Sequence, residues 1–97
     1  MKTVGVERAV LSFINPGTPV LVSIGATSAV SATVGSSVIR LVSTVACYVA
    51  IGASPTATSS SMYLPANMPE YFVVDPTDQV AVLEVSGAGT LFIVPAV

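Results

Sequence analysis

The chain has 97 residues, of which 53% are hydrophobic and only 8% are charged, with a net charge of −2 at neutral pH. This length predicts one domain over residues 1–97 with one modest core, too small to enclose a deep catalytic cleft. Three scattered cations form no basic patch for nucleic acid, and prolines and glycines leave no run of about 18 apolar residues to span a membrane.

The N-terminal segment leaves three interpretations open. Residues 1–14 combine Val4, Val6 and Val10 with the charged pair Glu7 and Arg8. The pair could begin a helical turn, whereas the valines fit a strand or an extended arm equally well. We therefore expect this segment to be a strand, a helix or an arm that reaches a neighbouring subunit.

The next segments favour β-strands. Residues 19–24 follow an Asn-Pro-Gly turn, and residues 28–34 form a weaker strand pattern of small and β-branched side chains. Residues 38–45 are rich in valine and isoleucine, and residues 46–51 alternate so that Cys47 and Val49 share one face.

Residues 54–69 are predicted to form an exposed loop and a crossover. The first part is rich in serine and threonine, and Pro65 and Pro69 then exclude a helix. Two interpretations remain open for the aromatic and methionine side chains here. Met62, Tyr63, Leu64 and Met68 close one end of the core, or Tyr63, Met68 and the following Tyr71 protrude as contacts for a neighbouring subunit.

The C-terminal third predicts two more strands and a hairpin. Residues 70–74 place Tyr71 and Val73 on one face, and an aspartate-initiated turn follows at residues 75–78. Residues 80–85 and 90–94 flank the short glycine-rich stretch 86–89, which predicts that they pair as a hairpin that ends before Pro95.

Together these patterns predict an all-β single domain. Six to eight short antiparallel strands, separated by turn signals at about 8–12 residues, are typical of a β-sandwich or a jelly-roll-like fold.

Residues suited to catalysis or metal binding are scarce. Histidine is absent, which excludes Ser-His and Cys-His nucleophilic pairs, and the lone Cys47 is expected to be a buried, inert thiol. Asp75 and Asp78 fit a turn better than a cation site or a carboxylate pair. We therefore predict no enzyme activity, no catalytic residue, no cofactor and no metal ligand.

The low charge instead points to association. Eight charges (three cations and five acids) cannot cover the surface of a small domain, so apolar side chains must face outward and favour contact with other subunits. A homo-oligomer is thus preferred over a neutral monomer, and the interface candidates are Arg40, Tyr63, Met68 and Tyr71. Arg40 pairs with Glu84 or Glu70 inside the fold, lies at the surface without a partner, or binds an acid of a neighbouring subunit.

The order of segments in residues 38–94 resembles small β-rich virion proteins of tailed bacteriophages. The likeness is carried by Ile39-Arg40-Leu41-Val42-Ser43, Cys47-Tyr48-Val49-Ala50-Ile51-Gly52, Pro55-Thr56-Ala57, Tyr63-Leu64-Pro65-Ala66, Pro69-Glu70-Tyr71-Phe72 and Val80-Ala81-Val82-Leu83. It implies a structural component of the virion, made in the host cytoplasm, with no catalytic residues to transfer.

The resemblance makes capsid decoration the expected role, with the major capsid protein or other virion subunits as partners. A ring or sleeve subunit of the neck or tail is the first alternative. A carbohydrate- or receptor-binding β-module is the second, although the chain lacks tryptophan.

Overall fold

A computed structural model describes residues 17–96. The described chain is a single compact all-β domain with eight strands and no helix, which confirms the predicted fold class. The strands are β1 (Val20–Ile24), β2 (Ala29–Val30), β3 (Val38–Ser43), β4 (Cys47–Gly52), β5 (Met62–Leu64), β6 (Glu70–Val73), β7 (Gln79–Glu84) and β8 (Gly89–Pro95). Residues 1–14, with their three open interpretations, lie outside the described residues.

The strands form two four-stranded antiparallel sheets. One sheet has the order β1-β8-β3-β6 and the other the order β2-β7-β4-β5. Within them the first strand pairs with the last, β2 with β7, β3 with β6, and β4 with β5. The chain is therefore a nested set of strand pairs, and most connections cross from one sheet to the other.

One hydrophobic core lies between the two sheets, because side chains alternate along each strand. In β3, Ile39, Leu41 and Ser43 point inward and are buried, whereas Val38, Arg40 and Val42 point outward. Inward residues of both sheets join one cluster, whose buried members are Val22, Ile24, Val34, Ile39, Leu41, Cys47, Val49, Leu64, Val80, Val82, Leu91 and Ile93. This shared core makes the fold a β-sandwich.

The predicted hairpin of the last two strands is wrong. β7 pairs with β2 and β4, whereas β8 pairs with β1 and β3 in the other sheet. The stretch 85–88 thus carries the chain across the sandwich rather than reversing it within one sheet. β8 also continues through Pro95, which lies opposite Ile39 and has no N–H to donate to the ladder.

Two further strands differ from the predicted bounds. β2 is limited to two residues, because at Ser31 the backbone N–H still donates to the Val80 carbonyl but the hydroxyl, in place of the Ser31 carbonyl, accepts the Val80 N–H. The crossover 54–69 contains β5, in which Leu64 is buried and pairs with Cys47. The proline at position 65 follows this strand immediately, so the strand is short.

The connections carry the turn chemistry that their residues favour. Asp78 accepts the N–H of Asp75 on its carboxylate at 3.0 Å and donates its own N–H to the Asp75 carbonyl at 2.9 Å, which confirms the predicted aspartate turn. Asn67 has a φ of 59°, a left-handed conformation that asparagine tolerates, and its N–H bonds the carbonyl of Ser43.

Candidate functional site

The outer surface of the sheet β1-β8-β3-β6 is an apolar face with one cation near its middle. We call it the Arg40 face. Alternation along the four strands, together with the pairing registers, assigns to it Leu21, Ser23, Val38, Arg40, Val42, Tyr71, Val73, Thr90, Phe92 and Val94. Seven of these ten side chains are aliphatic or aromatic, and Arg40 is the only charged one.

The Arg40 face is organised in rows that cross the strands. Leu21, Phe92 and Val42 lie opposite one another on β1, β8 and β3. The next row along the strands holds Val94, Arg40 and Tyr71. Directly opposite residues in antiparallel strands lie about 5 Å apart, so these side chains are in contact range.

The apolar side chains at the rims of this face are strongly exposed. Leu21 on the edge strand β1 is 58% exposed, and Val73 on the opposite edge strand β6 is 76% exposed, the highest value among the exposed large hydrophobic residues. The apolar side chains between these rims are half-buried, and contiguous apolar surface on a small domain marks an interaction site more often than scattered exposed residues do.

Arg40 is the only cation in residues 17–96, and within them no carboxylate lies in ion-pair distance of it. Glu84 belongs to β7 in the opposite sheet. Glu70 lies opposite Leu41 at the start of β6, one residue from Tyr71, and is exposed. The described part of the fold therefore offers Arg40 no internal ion pair with either predicted candidate.

The other sheet differs because a loop covers part of its outer side. Ser28 precedes the inward-facing Ala29, so its hydroxyl lies on the outer side, where it accepts the N–H of Ala57 at 2.9 Å. Ala57 is buried, which places the loop 53–61 against the sheet. Ala81 points outward on β7 yet has no exposed surface, as expected beneath such a cover.

The four predicted interface residues do not form one site. Arg40 and Tyr71 are cross-strand neighbours on the Arg40 face. Tyr63 lies on the opposite sheet, 55% exposed, with its ring 6.3 Å from that of Tyr48 in an edge-to-face arrangement. Met68 is 54% exposed in the connection between β5 and β6. Of the four side chains that one interpretation placed over the end of the core, only Leu64 is buried, whereas Met62, Tyr63 and Met68 are exposed.

Sequence reasoning missed Leu21, Val73 and Phe92 as members of the site. Their signal was present in the alternation of each strand, since each side chain has the parity opposite to the core residues. The missing information was which strands are neighbours, because β1 and β8 are separated by almost the whole described chain.

Cys47 is a free thiol without exposed surface. Burial raises the pKa of the Cys47 thiol above its usual value of 9.0, and the neighbouring Ser43 hydroxyl lowers it by less. The Ser43 Oγ atom is itself buried and has no hydrogen-bond partner of ordinary geometry in the described part, since a thiol is only a weak one. A neutral, enclosed thiol is a poor nucleophile, as the sequence predicted.

Within residues 17–96, no group of three or more His, Cys, Asp or Glu side chains could hold a metal ion. No helix capable of crossing a membrane is found in the same range. Comparisons of the chain with protein-family models, with curated proteins and with solved structures found no match.

Proposed function

We propose that this chain is a structural virion protein that binds the outside of a bacteriophage capsid and stabilises contacts between coat subunits. The observation that carries the proposal is the Arg40 face, an apolar sheet surface with exposed rims at Leu21 and Val73. A solvent-exposed face of this composition favours association with protein, because burying it removes apolar surface from water.

The topology supports the same proposal. The nested pairs β1·β8, β2·β7, β3·β6 and β4·β5, split between two sheets, match an eight-stranded jelly roll, and we propose that the fold is one. Jelly rolls recur in viral capsid domains, lectins and cupins. Because one fold hosts many functions, the argument for a virion role depends on the face and on the resemblance of residues 38–94, and only secondarily on topology.

The mechanism that we propose is burial of the Arg40 face against coat subunits. A standard protein interface buries about 800 Å² per partner, roughly one seventh of the 5411 Å² surface of this chain. One broad face of the sandwich can supply that area. The opposite sheet, whose outer side is partly covered by the loop 53–61 and exposes Val30 and Tyr63, then faces solvent.

The proposal is tested by binding to capsids that were assembled without this chain. We expect the purified protein to cosediment with them and saturate at a stoichiometry that follows the capsid lattice. Decorated capsids should also resist heat or low salt better than bare ones. If the purified chain did not cosediment with intact capsids, the proposed capsid role would be wrong.

A ring or sleeve subunit of the neck or tail is the nearest alternative, and imaging separates the two. One ring of density at a single vertex or along the tail would favour it over decoration of the whole shell.

The exposed Tyr63, stacked edge-to-face on Tyr48, favours a carbohydrate-binding module as the second alternative, since sugars pack on aromatic rings. Tyr48 lies between Tyr63 and Leu83 in this sheet. The side chain next to the tyrosine pair is therefore Leu83 rather than a polar residue that could bind sugar hydroxyls. A glycan array tests it directly. Binding that is lost in Tyr63→Ala would support the carbohydrate role.

A further inference from the structure

We propose that the coat surface docked on the Arg40 face carries a carboxylate surrounded by apolar side chains, and that this carboxylate pairs with Arg40. The inference rests on the proposed function and names the chemistry of the partner. It follows from three features of the described residues: the single cation of the face, the apolar rows on both sides of that cation, and the positions of the described acids.

A partner that covers Arg40 must compensate for the free energy of removing its guanidinium group from water. Arg40 lies in a row between Val94 and Tyr71, and the row of Leu21, Phe92 and Val42 flanks it along the strands. A partner that seals these apolar rows also removes Arg40 from water. An unpaired buried guanidinium is strongly unfavourable, whereas a carboxylate that accepts two parallel N–H bonds compensates for the lost hydration. A tight partner must therefore present an acid at this point.

The acid that pairs with Arg40 belongs either to a second copy of this chain or to a different protein. Stacking the Arg40 faces of two copies about a two-fold axis would bring two guanidinium groups towards each other. The described acids are poorly placed to compensate. Asp78 is engaged in its own turn with Asp75, Glu84 belongs to the opposite sheet, and Glu70 is at the end of an edge strand. These positions favour a different protein over a second copy.

The Arg40 face is poorly suited to binding a phosphate polymer. Binding to a nucleic acid requires several cations that neutralise successive phosphates. The Arg40 face offers one cation, surrounded by aliphatic and aromatic side chains, on a chain with a net charge of −2. A single carboxylate within an apolar protein surface matches this pattern of one charge and many apolar contacts.

The test compares capsid binding of Arg40→Gln, Arg40→Lys and Val73→Asp with that of the unchanged chain, using capsids assembled without this protein. We expect Arg40→Gln to bind about 30-fold more weakly or worse, because it leaves a coat carboxylate buried without its partner. Arg40→Lys should recover part of the affinity. Val73→Asp, at the exposed rim, should bind at least tenfold more weakly and fold normally.

Thr33→Asp is the matched control, because it changes the net charge by the same amount as Arg40→Gln at an exposed position between β2 and β3. It should bind like the unchanged chain. All variants should keep the unfolding midpoint of the unchanged chain, since Arg40 has no ion pair within the described residues. A charge-swap completes the test: Arg40→Glu should regain binding when one coat carboxylate is changed to lysine.

The outcomes separate this inference from the proposed function. Equal capsid binding by Arg40→Gln and the unchanged chain would overturn the inference and leave the capsid role intact. Absence of capsid binding by the unchanged chain would instead overturn the proposed function. If Val73→Asp abolished self-association of the purified chain and left capsid binding unaffected, the face would belong to a second copy, which would also overturn the inference.

Discussion

Gly89, at the start of β8, has no room for a side chain, in contrast to Gly25, Gly35, Gly52 and Gly87. A Cβ atom there would lie 2.6 Å from both Thr44 Oγ1 and Val45 Cγ2. The same Thr44 hydroxyl accepts the N–H of Thr90 at 2.9 Å, and the backbone N–H of Thr44 donates to the Thr90 carbonyl. Displacing Thr44 would therefore disturb two hydrogen bonds that tie the 44–46 connection to β8.

We expect Gly89→Ala to lower the free energy of unfolding by about 2 kcal/mol, because overpacking forces backbone or side chains to shift. Gly87→Ala is the control, since no atom lies within 4 Å of a Cβ at that position. Chemical denaturation of both variants measures the difference. Equal stability of the Gly89→Ala and Gly87→Ala variants would show that Thr44 and Val45 do not pack closely against Gly89.

Cys47 supplies a second prediction at this scale, on the pH dependence of stability. Its raised pKa means that the folded state holds the thiol proton more tightly than the unfolded state does. The stabilisation is therefore complete below the unfolded value of 9.0 and declines as the pH rises towards the folded pKa. The free energy of unfolding should fall by up to about 1.4 kcal/mol per pH unit in that window.

Denaturation of the unchanged chain and of Cys47→Ala between pH 8 and about pH 10.5 tests this, because the difference between the two profiles isolates the contribution of the thiol from that of groups present in both proteins. The unchanged chain should show the steeper decline. Parallel profiles for the two proteins would refute the assignment to Cys47.

At the scale of elements, the short strand β2 depends on a side chain. The Ser31 hydroxyl accepts the buried N–H of Val80 at 3.0 Å and donates to the Ala32 carbonyl at 2.7 Å. The Ser31 backbone N–H donates to the Val80 carbonyl, and the Gln79 side chain donates to the Ser31 carbonyl. These bonds continue the β2–β7 contact beyond its two ladder residues.

Ser31→Ala should cost about 1–3 kcal/mol of stability, because it leaves the Val80 N–H buried without an acceptor. Hydrogen exchange should locate the loss, with faster exchange at Val80. Ser37→Ala, at an exposed serine before β3, is the comparison and should change neither measurement. If both serine variants behaved alike, the hydroxyl of Ser31 would not be what secures β2.

The strands also show which features of the fold can be predicted from the sequence and which cannot. Alternation within a strand is local, so which residues of 46–51 and of 70–74 share a face was predictable from the sequence, but which face of residues 70–74 points inward was not, since both faces carry apolar side chains. Pairing between strands is not local. The glycine-rich stretch 86–89 favoured a hairpin by its composition, yet the core requires β7 and β8 to lie in opposite sheets.

The same limit applies to the candidate site. Arg40 and Tyr71 could be singled out individually, because a lone cation and a tyrosine in apolar strands are conspicuous. That they are cross-strand neighbours, and that Leu21 and Val73 frame the same face, follows only from the order β1-β8-β3-β6. β5 was missed because three residues before a proline give too short a pattern.

At the scale of the whole molecule, the two outer surfaces of the sandwich differ. One sheet has the loop 53–61 bound against its outer side through the Ala57–Ser28 hydrogen bond. The other presents the apolar Arg40 face, with no described loop hydrogen-bonded across it. This asymmetry is what leads from a small β-sandwich to the proposal of a protein that covers another protein.

The most direct measurement is an image reconstruction of the virion, or of capsids decorated with the purified chain, at a resolution that traces β-strands. We expect density for this chain on the outside of the shell, with β1, β8, β3 and β6 against coat subunits and the loop 53–61 towards solvent. Density in which the Arg40 face points to solvent would contradict the account, and so would particles that contain none of this chain.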